Sequence, residues 1–436
     1  MISAPLPCSG RADRVQGAHF VPLLLLVLAL PLQAVAAASP FARDTGPRSE
    51  FDASVTLQLR DFPDEGLLGE RRVHPSLALE FEYFREWNQG ADSFTLVPFL
   101  RYDVRDDRRT RGDLREAFLT HVGDGFEIHA GLRRVFWGQT ESKHLVDVLN
   151  QVDLIENVDE EDRLGQPMLN LTLLRDWGVI EAYVLPGFRE RTFASTDGRF
   201  TGPFEIAEAR SGIRRVASGR VDWALRWSHL IGEVELGLAW FDGTNREPEF
   251  EPVGPVEAGV PIRLQPRYRA MTQASLDAQY IRGDWAWKLE LLRRGGDSPS
   301  HVAFVAGFER TLIGVFDTRA DLGLLAEYLY DDRDRRTPLL SFASDVFLGL
   351  RLAFNDLADS DLLAGVIVDH RSGRQVWSVE AGTRLGQHWR LAFEGRAFRG
   401  ARALRPGVLE DLTEPGRQWG AIARDDYLQF ELTRFF

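Results

Sequence analysis

Apolar and polar residues alternate one by one along most of this chain of 436 residues. Every second residue is apolar from Phe51 to Leu59, and the same period recurs around Leu79, Leu236 and Leu348. A β-strand directs successive side chains to opposite faces, so this period predicts strands with one apolar and one polar face. Helical periodicity is nearly absent. The pattern therefore predicts an all-β protein.

The alternating segments number eighteen, and an even number is typical of bacterial outer-membrane barrels. Sixteen strands are also compatible with the pattern. The predicted strands are 51–60, 76–87, 93–104, 114–122, 126–136, 167–174, 178–186, 220–229, 233–242, 268–281, 284–293, 301–312, 320–330, 345–354, 361–369, 375–385, 388–398 and 425–436.

Connection lengths support a membrane barrel, in which short periplasmic turns alternate with long outside loops. Tight turns are expected at 123–125, 175–177, 231–232, 282–283 and 386–387. Between them lie long loops rich in charged residues, proline or glycine, at 60–75, 137–166, 187–219, 243–267, 331–344 and 399–424. The parity of this alternation predicts an antiparallel up-and-down transmembrane barrel with both termini on the periplasmic side.

The aromatic residues favour lipid over a protein core as the cover of the apolar faces. A soluble β-sandwich also alternates, but its tryptophans usually lie centrally, whereas membrane barrels carry aromatic girdles at both interfaces. The chain ends on Phe436, which resembles the terminal aromatic read by the barrel-assembly machinery, and we assign it to a girdle. The tryptophans at or beside predicted strand ends are Trp87, Trp137, Trp177, Trp227, Trp240, Trp285, Trp377 and Trp389.

The amino terminus has the three parts of a secretory signal peptide. Arg11 and Arg14 precede the apolar run 20–32, and small residues follow, with cleavage expected after Ala36 or Ala38. An uncleaved anchor is the alternative, but thirteen apolar residues fall short of the ~20 that span a bilayer. We expect residues 1–38 to be the signal, 39–50 a periplasmic segment and 51–436 the barrel.

The formal net charge of -13 makes nucleic acid an improbable partner. If the apolar faces of the strands contact lipid, the alternate, polar residues point into the lumen. Charged residues of both signs there require water. A barrel of this size is wide enough for an aqueous channel, although a plugged or self-paired lining is the alternative. The predicted lining consists of Arg101, Asp103, Arg115, Glu127, His129, Arg133, Asp222, Arg226, Glu233, Glu235, Lys288, Glu290, Glu327, Arg351, Glu380, Arg384, Arg390, Glu394 and Arg396.

The loop after the fifth predicted strand contains apolar residues at helical spacing between 145 and 149. We predict a short helix there, which either folds into the lumen as a constriction or caps the barrel mouth. Its polar residues are Glu141, Lys143, His144 and Asp147. Their span is long for one metal site, and the acidic run 156–162 is interpreted as surface acid near lipopolysaccharide. We therefore expect no metal and no cofactor.

The same region resembles a family of large Gram-negative outer-membrane barrels of unassigned function, similar to alginate-export and substrate-selective porins. That family carries G-R-x-V-x-W-G-E-S followed by D-V-x-N-P-x-D, although Gln139 and Gln151 depart from it here. Further similarity lies at 226–229 and 241–248. The matching residues are Gly131, Arg133, Val135, Trp137, Gly138, Asp147, Val148, Asn150 and Asp153. The resemblance implies an outer-membrane barrel, with lipid or polysaccharide export beside an inner-membrane pump as one role.

These observations predict an outer-membrane, porin-like channel for polar or charged solutes. One alternative is a component that passes a lipid or polysaccharide from an inner-membrane exporter. The second is a barrel enzyme or adhesin acting through its loops, but no G-x-S-x-G, H-E-x-x-H, P-loop or C-x-x-C motif is present. We expect no catalysis, and as partners membrane lipid, lipopolysaccharide, the barrel-assembly machinery and possible export or uptake proteins.

Overall fold

The computed structural model describes residues 46–207, 220–257, 259–333, 342–412, 414 and 419–436. The predicted signal peptide at 1–38 lies outside these residues. Among the described residues, no helix has the length and apolar character needed to cross a bilayer.

The described chain consists almost wholly of antiparallel strands. Short 3-10 helices occupy Asn88–Gly90, Val315–Asp317, Leu409–Leu412 and Gly420–Ile422. The strands are β1 (Arg48–Asp61), β2 (Val73–Trp87), β3 (Asp92–Asp103), β4 (Arg111–Gly123), β5 (Phe126–Arg133), β6 (Gln166–Arg175), β7 (Gly178–Leu185), β8 (Phe204–Ile206), β9 (Asp222–Ile231), β10 (Val234–Thr244), β11 (Glu249–Pro252), β12 (Ile262–Arg267), β13 (Ala270–Arg282), β14 (Trp285–Gly296), β15 (His301–Leu312), β16 (Asp321–Asp331), β17 (Ser344–Ala353), β18 (Asp361–Asp369), β19 (Gln375–Leu385), β20 (Trp389–Arg399) and β21 (Tyr427–Phe435).

Eighteen of these strands form one closed barrel, which confirms the predicted fold. Each barrel strand pairs antiparallel with its neighbour along the chain, and β1 closes the ring by pairing with β21. The prediction missed β8, β11 and β12, which form a small separate sheet within the connections after β7 and β10. It also extended the fifth strand to 136, whereas β5 ends at Arg133.

The two faces of the barrel wall differ in the way the alternation predicts. Leu100, Trp223 and Leu348 point outward and remain 44–53% exposed, while polar side chains of the opposite parity are buried inside. Arg226 of β9 and Asp277 of β13, for example, form two hydrogen bonds of 2.6 and 2.9 Å. A wall that is apolar outside and charged inside requires an apolar surrounding and a polar interior.

The ends of the barrel carry connections of different length. At the turn end lie short links such as 124–125, 176–177 and 232–233, together with the start of β1 and the end of β21. At the loop end lie long connections, including 134–165, 186–221, 245–269 and 400–426.

Tryptophans lie near both ends of the outer wall. Trp285 and Trp287 stack at the turn end with ring centroids 5.7 Å apart, and Trp223 and Trp377 lie near the loop end, 44% and 49% exposed. The girdle interpretation is wrong for Trp137. This residue follows β5 and is buried against Tyr183 inside the barrel, with ring centroids 5.7 Å apart.

Candidate constriction and channel lining

Residues 134–165, called here the inserted segment, leave β5 at the loop end and run across the barrel interior. One part of the segment bonds to the inner face of β14, β16 and β17, and another part bonds to β1, β3 and β4. These two groups of strands lie on opposite sides of the ring. The segment therefore divides the lumen instead of capping its mouth.

Asn150 joins the two ends of the inserted segment where it leaves and rejoins the wall. Its side-chain oxygen accepts a hydrogen bond of 2.9 Å from the backbone N–H of Val135. Its side-chain nitrogen donates to the carbonyl oxygens of Arg133 and Leu164, both at 2.9 Å. Asn150 is 1% exposed, so these bonds close the base of the loop in a site shielded from water.

Glu290 of β14 anchors the first part of the segment. Its carboxylate accepts hydrogen bonds from the backbone N–H groups of Gln139, Thr140 and Val146 at 2.8, 3.0 and 3.1 Å. The hydroxyl of Thr140 adds a fourth bond of 2.8 Å. Because Glu290 is fully buried, its charge depends on these donors for the solvation that water would otherwise supply.

Glu327 of β16 holds the next residues in the same way. It accepts hydrogen bonds of 2.8 Å from the backbone N–H groups of Glu141 and Ser142, and Glu141 bonds Arg351 of β17 at 2.5 Å. The predicted helix is therefore wrong. The backbone donors that a helix would direct to carbonyl groups four residues back are instead taken by wall carboxylates.

The remaining polar residues predicted for the constriction pair within the segment itself. Lys143 forms an ion pair with Glu160, and Asp147 accepts a 2.8 Å bond from Nε of Arg163. His144 Nε2 lies 3.1 Å from Glu161 and its Nδ1 lies 3.9 Å from Glu290. Burial lowers the pKa of His144, but Glu161 and Glu290 outweigh that effect and raise the pKa to about 10.

The attachment of the segment is expected to weaken at alkaline pH. A histidine whose pKa rises from about 6.5 in the unfolded chain to about 10 in the fold stabilises the folded state fully below pH ~6.5, and this contribution is lost toward pH ~10. The charged groups around His144 are Glu161, Glu290 and Asp147. Protease cleavage within 134–165 should therefore increase from pH 7 to 10. The H144Q variant should show a smaller increase in cleavage rate over this pH range. An increase as large as in the parent protein would contradict the role of His144 in attaching the segment.

On the opposite wall, arginines hold the second part of the segment. Glu156 bonds Arg101 of β3 at 2.8 Å and Arg111 of β4 at 3.2 Å, and the Arg109 side chain donates to the carbonyl oxygen of Ile155 at 3.0 Å. Burial raises the pKa of Glu156, but the surrounding arginines lower it to about 2. The interpretation of the acidic run as surface acid is therefore wrong for Glu156, which is 4% exposed within the barrel.

A third anchor centres on Arg396 of β20. This guanidinium pairs with Glu394 at 2.7 Å, Glu380 at 2.8 Å and Asp159 of the segment at 3.3 Å. The three carboxylates lie within 4.8 Å of one another, the spacing of a metal site. Protein donors occupy this cluster, since Arg396 pairs with all three carboxylates and the Asn157 side chain donates to Asp159 and Glu394.

Polar space remains between the inserted segment and the wall formed by β1–β4 and β21. This space has a volume of about 210 Å³. The Arg115 guanidinium borders this space, 3.9 Å from the centroid of the Phe99 ring. Its carboxylate neighbours are Glu80 at 3.5 Å, Asp162 at 3.6 Å and Glu156 at 4.0 Å. Its lining is Ser54, Thr56, Gln58, Ala78, Glu80, Phe99, Arg101, Arg115, Glu156, Asn157, Asp162, Gln429 and Glu431.

The structure places the predicted lining residues in three groups. Those whose side chains form hydrogen bonds or ion pairs with the segment are Arg101, Arg115, Glu290, Glu327, Arg351, Glu394 and Arg396. Those that bond to other wall or loop residues are Asp103, Glu127, His129, Arg133, Asp222, Arg226, Lys288 and Glu380. Arg384 and Arg390 make wider pairs near the turn end, and Glu235 is exposed there. Glu233 lies in the 232–233 turn and not in the strand predicted from 233, so the alternation of β10 does not apply to it.

Residues that strand parity could not identify complete the site. Arg109 lies in the connection before β4, Arg246 follows β10 and Glu156 lies in the segment, so no alternation marks them. For these three residues, which lie outside the strands, the sequence indicated only the sign of the charge. Arg115, by contrast, was predicted to line the lumen, and it lies in β4 where the β3–β4 register shifts between Val97 and Pro98.

No protein-family model and no curated protein matches this chain. Solved barrel structures are similar in fold. OpdO of Pseudomonas aeruginosa is 10% identical, with 90% of this chain and 96% of that chain covered and a TM-score of 0.50. OccD3 (OpdP) of the same organism is 11% identical over 93% and 96%, with a TM-score of 0.49, and a porin of Rh. blastica is 12% identical over 89% and 100%, with a TM-score of 0.41. At these identities the likeness to OpdO concerns the fold alone, and the sequence family stays a prediction.

Proposed function

We propose that this protein is an outer-membrane, porin-like channel for small polar or charged solutes. The observation that carries the proposal is an eighteen-strand barrel whose charged lumen is narrowed by a segment fixed to opposite walls. The outer wall presents an apolar band, as a barrel in lipid requires. The turn end would face the periplasm with both termini, and the loop end would face lipopolysaccharide.

The proposed path follows the polar space beside Arg115. Arg101 and Arg115 border this space on one side. The opposite charge nearby comes from Glu80, Glu431 and Asp162. Opposed fixed charges replace part of the hydration of a passing ion or zwitterion and orient its dipole. Buried charges that are fully paired, such as Arg226 with Asp277, hold the wall and are less available to a solute.

Neutralising Arg115 is expected to change ion selectivity. Its ion pairs are 3.5 to 4.0 Å long, so the neighbouring carboxylates compensate its charge only in part. The remaining positive charge acts on the passing ion. R115Q should raise the cation-to-anion permeability ratio about twofold or more, read from the reversal potential across a salt gradient in a planar bilayer.

R263Q is the matched control, because Arg263 of β12 is 61% exposed in the small separate sheet. It should leave selectivity unchanged. Discrete conductance steps in the parent protein are a precondition. A correctly folded barrel that shows no conductance would reject the channel proposal. Equal changes of the reversal potential in R115Q and R263Q would reject the path beside Arg115.

A further inference from the structure

The barrel wall has a lateral gap beside the loop-end half of β4. Strand β4 pairs with β5 only from Ala117 to Gly123, so residues 111–116 have a strand partner on the β3 side alone. These six residues extend about 20 Å. The strand wall is shorter here toward the loop end, because β5 ends at Arg133 and the chain then enters the lumen as the inserted segment.

Two contacts define the borders of the gap. Gly165 packs against the carbonyl oxygen of Arg115 so closely that a Cβ atom would lie 2.1 Å from it, which closes the gap toward the turn end. Arg189 bridges the other border, donating to Asp113 Oδ1 at 2.6 Å and to the Gly165 carbonyl oxygen at 3.2 Å. Between these contacts the wall consists of side chains and not of strand.

A cavity of about 1080 Å³ occupies the gap. Its outer lining includes Leu100 and Leu114, which belong to the outward face and are 51% and 38% exposed. Its inner lining includes Ile155 and Leu164 of the inserted segment, which are 4% and 1% exposed. The cavity is therefore continuous with the surface that we assign to lipid, and the inserted segment forms its inner wall.

A cation lies at the inner side of this cavity. Arg191 and Phe193 line both the gap cavity and a second, largely apolar cavity beneath the loops. The Arg191 Nε atom donates to Gln151 Oε1 at 3.2 Å. Within the described part of the chain, Arg191 has no carboxylate at ion-pair distance, unlike Arg111 and Arg189 of the same lining.

We propose that this gap is a lateral binding site for a single-chain amphiphile with a carboxylate head group, entering from the bilayer. The hydrocarbon chain lies along Leu114, Leu164 and Ile155, and the head group pairs with Arg191. The apolar part of the lining is open to the lipid face and suits a hydrocarbon chain, each buried methylene of which contributes favourably. The charged part of the lining includes the Asp113–Arg189 pair at the border of the gap. The Arg191 guanidinium, which among the described residues has no carboxylate at ion-pair distance, favours an anionic head group over a neutral one. The polar path beside Arg115 shares only Phe99 with the lining of this cavity, and most of its other lining residues are polar or charged.

The test uses palmitate carrying a diazirine in its chain, with the full-length mature protein in lipid nanodiscs. After irradiation, the labelled peptides are identified by mass spectrometry. Labelling should concentrate on residues 98–114 and 186–207 and should fall when unlabelled palmitate competes. Labelling spread over the whole outer wall, without competition, would overturn the proposal.

Two variant pairs separate a specific site from contact with bulk lipid. L114R places a charge at the gap and should reduce the labelling that unlabelled palmitate can displace at least about fivefold. L348R, on the outward face of β17, should leave this labelling unchanged. R191Q should weaken palmitate competition about tenfold, and R191K should restore most of it, because a charge-assisted contact depends on the cation.

Equal effects of L114R and L348R would reject the lateral site, and equal behaviour of R191Q and R191K would reject the assigned head group. All four variants should keep the folded-barrel mobility in unheated gel electrophoresis. Single-channel conductance of L114R should match the parent protein, since the gap lies apart from the solute path.

Discussion

The E290A variant is expected to release the inserted segment from the β14 wall and to raise single-channel conductance. Three backbone N–H groups and the Thr140 hydroxyl lose their common acceptor, which is fully buried. A hydrogen bond to a charged group contributes about 1.5–3 kcal/mol, so the loss should reach at least about 3 kcal/mol. Protease cleavage within 134–165 should then become roughly a hundredfold faster, because cleavage follows the population of the open state.

E82A provides the control for the charge itself. Glu82 belongs to the inward-facing parity of β2 but is exposed, and no bond to the inserted segment involves it. This variant should leave the cleavage rate unchanged. If E290A and E82A were cleaved at equal rates, or if E290A conducted like the parent, Glu290 would not be the anchor of the constriction.

The R246M variant should cause the largest loss of overall stability. Arg246 bonds Asp222 Oδ2 and the Thr244 carbonyl oxygen, both at 2.8 Å, and it donates twice to the Leu149 carbonyl oxygen, at 3.1 and 2.9 Å. Removing it leaves the Asp222 carboxylate, which is 1% exposed, with the Thr244 hydroxyl as its one remaining hydrogen-bond donor among the described residues. Breaking a buried pair in this way costs about 3–5 kcal/mol, measurable as a shift of the urea unfolding midpoint in micelles.

The matched control is R267M, which removes an arginine that is 58% exposed and pairs with the equally exposed Glu251. Such surface pairs contribute about 0–1 kcal/mol, so its midpoint should hardly move. Adding D222N to R246M should recover part of the loss, because the uncompensated charge is then removed. A loss in R246M no greater than in R267M would contradict the role of Arg246.

Buried charged contacts at three places on the wall indicate that the inserted segment is a fixed part of the lumen. Glu290, Glu156 and Arg396 each bond several groups, at positions spread around the ring. The segment also packs an apolar cluster against the wall, comprising Trp137, Val146, Val148 and Leu149 with Tyr183 and Phe241. A constriction held by both kinds of contact should keep one width, and selectivity should follow from its charges.

Much of this fold was determined by the sequence through local rules. Alternation with a period of two identified the strands, because a strand places neighbouring side chains on opposite faces whatever it pairs with. The same parity assigned Glu290, Glu327 and Arg101 to the inner face. The sequence did not determine the strand ends. The fifth strand was predicted to reach 136, but β5 ends at Arg133, because Asn150 bonds the Arg133 carbonyl oxygen where the chain turns into the lumen.

The conformation of the inserted segment was decided only by the tertiary structure. Its apolar residues have helical spacing, yet its N–H groups bond carboxylates that lie about 150 residues away along the chain. Only the closed barrel brings those carboxylates near, and a bond to a buried charge outweighs the small preference for a local helix. The gap beside β4 has the same origin, because it exists only where the chain leaves the wall to fill the lumen.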